Sequence, residues 1–216
     1  IGVFPVDDGT GNIENRIKLI RNENLGYKVW NSTQVSSTSS YNNWTGASLK
    51  TYLNETYLSG LSSEVQNMIG NAKYYLGGYN SHLKLQKDVM YQYERKISGS
   101  NYYYGTNPTN WTGKLALMYV SDYGYAASDE CTQNLYDYNS TTCTTNNWLL
   151  NSAGQWTLSQ TGGDMYAAYL IISDGSVKFT DTPTNAGNVK PVFYLMSDVG
   201  IIGGTGTSTD PYTLGL

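Results

Sequence analysis

Residues 156–195, WTLSQTGGDMYAAYLIISDGSVKFTDTPTNAGNVKPVFYL, contain the pattern that decides the fold. Two runs rich in apolar residues, MYAAYLIIS and SVKFTD, meet at Asp174 and Gly175. An Asp-Gly pair between such runs is a strong signal for a tight β-hairpin. After the turn, Val177 and Phe179 alternate with polar residues, as in a strand with one buried face. The stretch therefore predicts a hairpin with one face in the core and the other displayed.

The displayed face and the two adjoining loops, residues 160–164 and 182–188, supply the candidate binding residues. These mix small polar side chains with tyrosine, a composition that resembles an antibody paratope. An ordinary solvated strand face has a similar composition and is the alternative interpretation. The candidates are Asp164, Tyr166, Tyr169, Ser176, Lys178, Thr180, Thr182, Thr184, Asn185 and Asn188.

The composition favours an extracellular domain. The chain has 216 residues, of which only 14% are charged, and 21 tyrosines against 3 phenylalanines. Tyrosine combines apolar area with a polar tip and suits exposed strand faces. The net charge of −4 and the absence of a basic run argue against nucleic acid as a partner. No apolar stretch approaches the roughly 18 residues of a membrane span, so we expect no membrane insertion in this fragment.

The two cysteines, Cys131 and Cys143, bracket a short polar, turn-rich segment. An even count in such a chain predicts a disulfide, with two free thiols as the alternative. Zinc is a poor fit because His82 is the single histidine available to complete a site.

Elsewhere the patterns predict an α+β protein. We expect a loose lead-in over residues 1–15 and a single domain over 16–216, beginning with a strand at 17–21. Apolar residues recur at helical spacing over 44–58, and Ser63 and Gln66 match a capping box that opens a second helix. Residues 88–96 fit either a helix or a strand, residues 114–119 alternate as a strand, and 201–216 form a last edge strand with a Pro-containing tail.

We find no catalytic constellation. His82 would be needed for a Ser-His-Asp triad, and no GxSxG motif accompanies it. The carboxylates are scattered, and GGTGT at 203–207 lacks the lysine of a phosphate-binding loop. We predict no catalytic residues and no cofactor. Calcium sites built from backbone carbonyls and Asp have no fixed spacing, which leaves a structural Ca²⁺ open.

Three stretches together carry a family resemblance. They are WTGKLALMYVSDYGY at 111–125, NWL at 147–149 with QWTLS at 155–159, and VKPVFYL at 189–195 with GGTGTSTDPYTL at 203–214. The chain resembles, from about residue 16 onward, uncharacterised surface and pilin-associated domains of the DUF6273 type. Two positions depart from that pattern, since Lys190 stands where the family usually has Arg, and Gln160 where it usually has Pro.

The resemblance implies a C-type-lectin-like fold of the subclass shared with formylglycine-generating enzymes: two helices packed on antiparallel β-sheets, with long loops. Members of this fold serve as variable proteins of diversity-generating retroelements, whose randomised segment would correspond to residues 164–188. The cysteine pair of the oxidase active site and the Ca²⁺-sugar motif of lectins have no counterpart here.

These observations lead to a functional hypothesis. We expect a non-enzymatic ligand-binding protein of a prokaryotic or viral surface, with a binding surface near residues 164–188. Its ligand would be a protein or glycan on another cell or surface. The alternatives are a pilin-like or filament subunit, and an enzyme of the formylglycine-generating or glycan-active type.

Overall fold

A computed structural model describes residues 1–32, 40–80, 84–151 and 153–216. The described chain is a mixed α/β protein with mostly sheet and few helices. The strands are β1 (Gly2–Asp7), β2 (Ile13–Ile20), β3 (Tyr27–Val29), β4 (Ile69–Gly70), β5 (Ala72–Tyr75), β6 (Asn110–Gly113), β7 (Leu115–Ala116), β8 (Gln155–Gln160), β9 (Ala167–Ile171), β10 (Val177–Asp181), β11 (Ala186–Asn188), β12 (Val192–Leu195), β13 (Gly200–Gly203) and β14 (Thr213–Gly215). The helices are α1 (Ser48–Thr51), α2 (Ser63–Met68), α3 (Lys87–Glu94), α4 (Val120–Ala126) and α5 (Thr141–Thr144).

The predicted hairpin is confirmed. Strands β9 and β10 pair antiparallel, with Val177 opposite Ile171 and Asp181 opposite Ala167. Gly175 in the connecting turn has a φ of 97°, a backbone angle that residues other than glycine rarely adopt. The hairpin belongs to a five-stranded sheet in the order β10-β9-β8-β11-β3, hereafter the hairpin sheet.

The hairpin sheet separates two hydrophobic cores, because neighbouring residues of a strand point to opposite faces. Ala168 and Leu170 of β9 pack into the first core, whereas Tyr169 and Ile171 pack into the second. The first core is built around Trp30, Trp44, Leu53, Trp156 and Leu158. The second is built around Tyr123, Leu135, Tyr138, Tyr169 and Val177. Strand β9 is therefore covered on both faces, and the predicted displayed face does not extend across it.

A second sheet has the order β1-β2-β12-β4, with β7 also paired to β12. Strand β1 pairs with β2 along its whole length, from Gly2 opposite Lys18 to Asp7 opposite Ile13. The expectation of a loose lead-in over residues 1–15 is therefore wrong. The strand predicted at 17–21 exists as β2, in which Arg16 and Lys18 are buried while Ile17 is 42% exposed.

The helix predicted over 44–58 is confirmed from Ser48 onward, and extended Ala47 separates it from a short helical turn before it. The earlier turn is a 3-10 turn at Trp44–Gly46, and the helix consists of α1, a π-helical stretch at Tyr52–Tyr57 and a last 3-10 turn at Leu58–Gly60. The second predicted helix is α2, whose N-cap is Ser62 rather than Ser63: the Ser62 hydroxyl accepts a hydrogen bond from the Val65 amide.

Two further helices resolve or correct the sequence interpretation. The ambiguous stretch at 88–96 is helix α3. The strand predicted at 114–119 is reduced to the two residues of β7, and helix α4 follows it. Alternation did not predict α4, because almost all its residues are buried and no polar face marks a helical period.

The predicted disulfide between Cys131 and Cys143 is present, with the two Cα atoms 4.8 Å apart.

The last part of the chain is not a single edge strand, since β13 and β14 pair as a two-stranded sheet of their own. No helix within the described ranges is long and apolar enough to cross a membrane. Residues 33–39 and His82 lie outside the described residues.

Candidate functional site

The ten candidate residues divide into an exposed and a buried group. Tyr166, Lys178, Thr184 and Asn185 are exposed, and Asp164 and Thr180 are partly exposed. Tyr169, Ser176, Thr182 and Asn188 are buried. The prediction that these four residues lie on the displayed face is therefore wrong. Tyr169 is buried because β9 lies inside the hairpin sheet. Ser176, Thr182 and Asn188 lie beside β10 and on β11, where their side chains form hydrogen bonds within the protein.

Tyr169 is fully buried and belongs to the second core. Its ring contacts Phe179 edge to face at a centroid distance of 6.3 Å, and its hydroxyl donates a hydrogen bond of 2.7 Å to the Tyr79 carbonyl. Burial raises the pKa of this phenol well above its ordinary value. Tyr169 therefore stabilises the fold and cannot contact an external ligand.

The other three buried candidates hold turns and strands in place. The Ser176 amide and hydroxyl both donate to Asp174 Oδ1, at 2.8 and 2.7 Å, which closes the hairpin turn. The Asn188 amide group donates to the Gly154 carbonyl at 3.2 Å. The Thr182 hydroxyl lies 2.7 Å from the Tyr166 carbonyl and 3.1 Å from that of Tyr41.

Asn42 is the main anchor of the loop before β9, and sequence reasoning missed it. The side chain is fully buried, and its Nδ2 lies 2.8–3.0 Å from the carbonyl oxygens of Thr161, Asp164 and Ala167. Its backbone amide donates to the Met165 carbonyl at 3.1 Å. Asn107 in turn donates to Asn42 Oδ1 at 3.0 Å. No local pattern marks such a residue, because its partners lie far away along the chain.

We call six exposed or partly exposed residues the rim: Tyr41, Asp164, Tyr166, Thr180, Thr184 and Asn185. Tyr41 and Tyr166 stack with ring centroids 4.9 Å apart and an interplanar angle of 23°. The Asp164 carboxylate accepts a hydrogen bond of 2.7 Å from the Tyr166 amide, which orients both residues. Lys178 lies further along β10, with its ammonium group 5.2 Å from the Tyr136 ring centre.

The rim combines a stacked aromatic pair with side chains that donate and accept hydrogen bonds. Such a surface is suited to recognition, since tyrosine presents a large rigid area with few torsions to immobilise. Within the described ranges, no group of three or more His, Cys, Asp or Glu side chains is placed to hold a metal ion.

Comparison of the chain with protein-family models, with curated proteins and with solved structures gave no match.

Proposed function

We propose that this protein is a non-enzymatic ligand-binding module that acts at the cell surface or outside the cell. The ligand would be a protein or glycan, and it would dock on the rim, whose residues other than Tyr41 lie within 164–188. The scaffold would be a C-type-lectin-like domain of the DUF6273 type, as the motifs at 111–125, 147–159 and 189–214 suggest. The observation that carries the proposal is the separation of exposed rim side chains from buried anchors in the same segment.

The anchors make the rim a preorganised surface. Asn42 and Thr182 hold the backbone on both sides of Tyr166 through buried hydrogen bonds. A loop held this way loses little conformational entropy when a ligand binds. None of the anchoring contacts uses a side chain of Tyr166, Thr180, Thr184 or Asn185.

This separation is also what a variable binding surface requires. Substitution at an exposed position away from core contacts usually changes stability by less than about 0.5 kcal/mol. Replacing a buried anchor instead leaves unpaired carbonyl groups, each with a desolvation cost of about 1–3 kcal/mol. We therefore propose that the rim positions within residues 164–188 are free to vary, whereas the buried positions between them are constrained.

The surface location is supported by two features of the chain. Disulfides persist mainly in oxidising compartments, and Cys131 and Cys143 form one. The low charge content and the abundance of tyrosine fit the same setting.

Sequencing of this locus across the source population tests the proposal. We expect amino-acid changes at codons 164, 166, 180, 184 and 185, and none at the codons of Asn42, Tyr169, Ser176, Thr182 and Asn188. Invariance across the whole segment would contradict a variable surface. Equal variation at exposed and buried codons would contradict the division that carries the argument.

A further inference from the structure

A second concave site lies away from the rim, between β1, α3 and α4. It is a cavity of about 380 Å³ lined by Phe4, Tyr91, Ser121, Asp122, Tyr125 and Trp148, among others. This volume falls within the roughly 300–1,000 Å³ that is common for small-molecule sites. None of the rim residues contributes to it.

Three of the lining residues are large aromatic side chains with unusually high exposure. Tyr91 is 37%, Tyr125 is 53% and Trp148 is 59% exposed. The rings of Tyr91 and Tyr125 stand nearly perpendicular, at 82°, with centroids 6.4 Å apart. Grouping such rings around one opening leaves apolar surface in water, which is characteristic of a binding site.

The cavity also contains a carboxylate, Asp122, of which only one oxygen accepts hydrogen bonds from the described residues. Asp122 is 7% exposed, and its Oδ2 accepts hydrogen bonds from Lys18 Nζ at 2.5 Å and from the Tyr119 amide at 2.8 Å. Within the described ranges, no group donates a hydrogen bond to Oδ1. A fixed carboxylate oxygen without a donor is a ready acceptor for a ligand hydroxyl.

The surrounding charges select against an ionic ligand. The Lys18 ammonium neutralises Asp122, so a cation would gain little from the carboxylate. Two of the lining rings already have a protein cation close to them: the Arg95 guanidinium lies 3.4 Å from the Tyr91 ring centre, and the Lys87 ammonium lies 5.4 Å from that of Tyr125. These positive charges would repel a cationic ligand. An anion has no hydrogen to donate to Asp122 Oδ1, so it would leave that acceptor unpaired.

A neutral ligand with an apolar face and several hydroxyls satisfies all of these features. We propose that this cavity binds a neutral saccharide. The C–H face of a pyranose ring packs on the exposed aromatic rings, and a ring hydroxyl donates to Asp122 Oδ1. The site is independent of the rim.

Ligand-observed saturation-transfer NMR on the full chain tests the inference, with glucose, galactose, mannose and N-acetylglucosamine as probes. We expect saturable binding of at least one sugar, with a dissociation constant on the order of 1 mM. Trp148→Ala and Tyr125→Ala should each weaken it at least about tenfold, a loss of roughly 1.4 kcal/mol. Trp148→Phe keeps an aromatic face and should retain most of the affinity.

Two control variants distinguish sugar binding in this cavity from sugar binding elsewhere on the protein. Tyr27→Ala removes a tyrosine that is 64% exposed on β3, outside the cavity, and should leave sugar binding unchanged. Tyr166→Ala removes an aromatic side chain of the rim and should also leave sugar binding unchanged. A failure of the cavity inference can therefore be distinguished from a failure of the rim proposal. Circular dichroism should show that all the variants are folded.

Three results would overturn the inference. One is the absence of saturable binding of all four sugars at about 50 mM, since a weaker affinity lies below that of a specific site. Another is tighter binding of choline or sulfate than of any sugar, which would make the site ionic. The third is an equal loss of binding in Tyr27→Ala and Trp148→Ala.

Discussion

Lys18 is the residue whose surroundings are least expected of its type. It is 1% exposed on β2, and its ammonium group lies 4.8–5.7 Å from the ring centres of Phe4, Tyr119 and Tyr194. Burial by itself lowers the pKa of this ammonium, but the Asp122 charge, the Tyr194 hydroxyl and the hydrogen bond to Asp122 together more than offset it, and the net pKa is raised. Lys18 therefore stays charged, and the aromatic rings and the carboxylate replace its water.

Replacing Lys18 with methionine tests this arrangement. Lys18→Met leaves Asp122 buried without its cation, which we expect to lower the free energy of unfolding by about 3–5 kcal/mol. Urea denaturation measures the change. Lys73→Met removes the cation of an ion pair with Asp7 in which both side chains are partly exposed, and should cost far less. Equal losses in the two variants would contradict the special role of the buried pair.

The tyrosines of the hairpin provide the second residue-scale prediction. Tyr169→Ala opens a cavity in the second core, and we expect it to lower the free energy of unfolding by about 3–5 kcal/mol. Tyr166→Ala, at a position that is 43% exposed, should change stability little. Thermal unfolding of both variants distinguishes them. A stable Tyr169→Ala protein would place this residue back on the displayed face.

At the scale of elements, the position of a strand within its sheet decides which side chains are available. β9 has a neighbouring strand on each side and a core on each face. β10 is an edge strand, and Lys178 on it reaches solvent. The proposed binding surface is therefore confined to the edge strand and the two loops, where side chains are exposed without disrupting a core.

The segment joining α4 to β8 is held by the disulfide. Leu135, Tyr138 and Cys143 in it are fully buried and pack into the second core. The bridge closes a loop with a sequence separation of 12, which restricts the unfolded chain.

We expect Cys131→Ser with Cys143→Ser to lower the free energy of unfolding by about 3 kcal/mol, from the chain entropy of so short a loop. Guanidinium denaturation of the wild type with and without reductant should give the same difference. An unchanged midpoint after complete reduction, verified by thiol titration, would show that packing alone holds this segment.

At the scale of the whole molecule, buried tyrosines dominate the response to pH. Burial raises the pKa of Tyr138 to about 12 and raises the pKa of Tyr123, Tyr169 and Tyr194. The pKa values of Tyr74 and Tyr119 lie well above the ordinary 10.0. Near pH 10 the unfolded chain therefore loses protons that the native state keeps.

The sign of the resulting pH dependence follows from linkage. The stability due to these tyrosines is fully present below pH 10 and falls as the pH rises above it; the raised pKa of Lys18 acts in the same direction. We expect cooperative unfolding in alkali, with tyrosinate absorbance and loss of near-ultraviolet circular dichroism changing together. Ionisation of all the tyrosines near pH 10 in a protein that stays folded would contradict this.

Local patterns determined several features of this protein by themselves. Two of these features, the Asp174-Gly175 turn and the helical segment after Trp44, depend on neighbouring residues. The third is the disulfide, for which Cys131 and Cys143 are the two cysteines in the chain. Backbone preferences and turn residues act over a few positions, so these features can be predicted from the sequence alone.

Only the tertiary structure decided which faces are buried. Alternation predicted the strand at 17–21, but it did not indicate that Lys18 is buried there. Lys18 can be buried because a partner carboxylate 104 positions away compensates its charge. Likewise, Tyr166 and Tyr169 look alike in sequence, and the second core covers one and not the other. Burial depends on what packs against a strand from distant parts of the chain, and the periodicity of the strand does not contain that information.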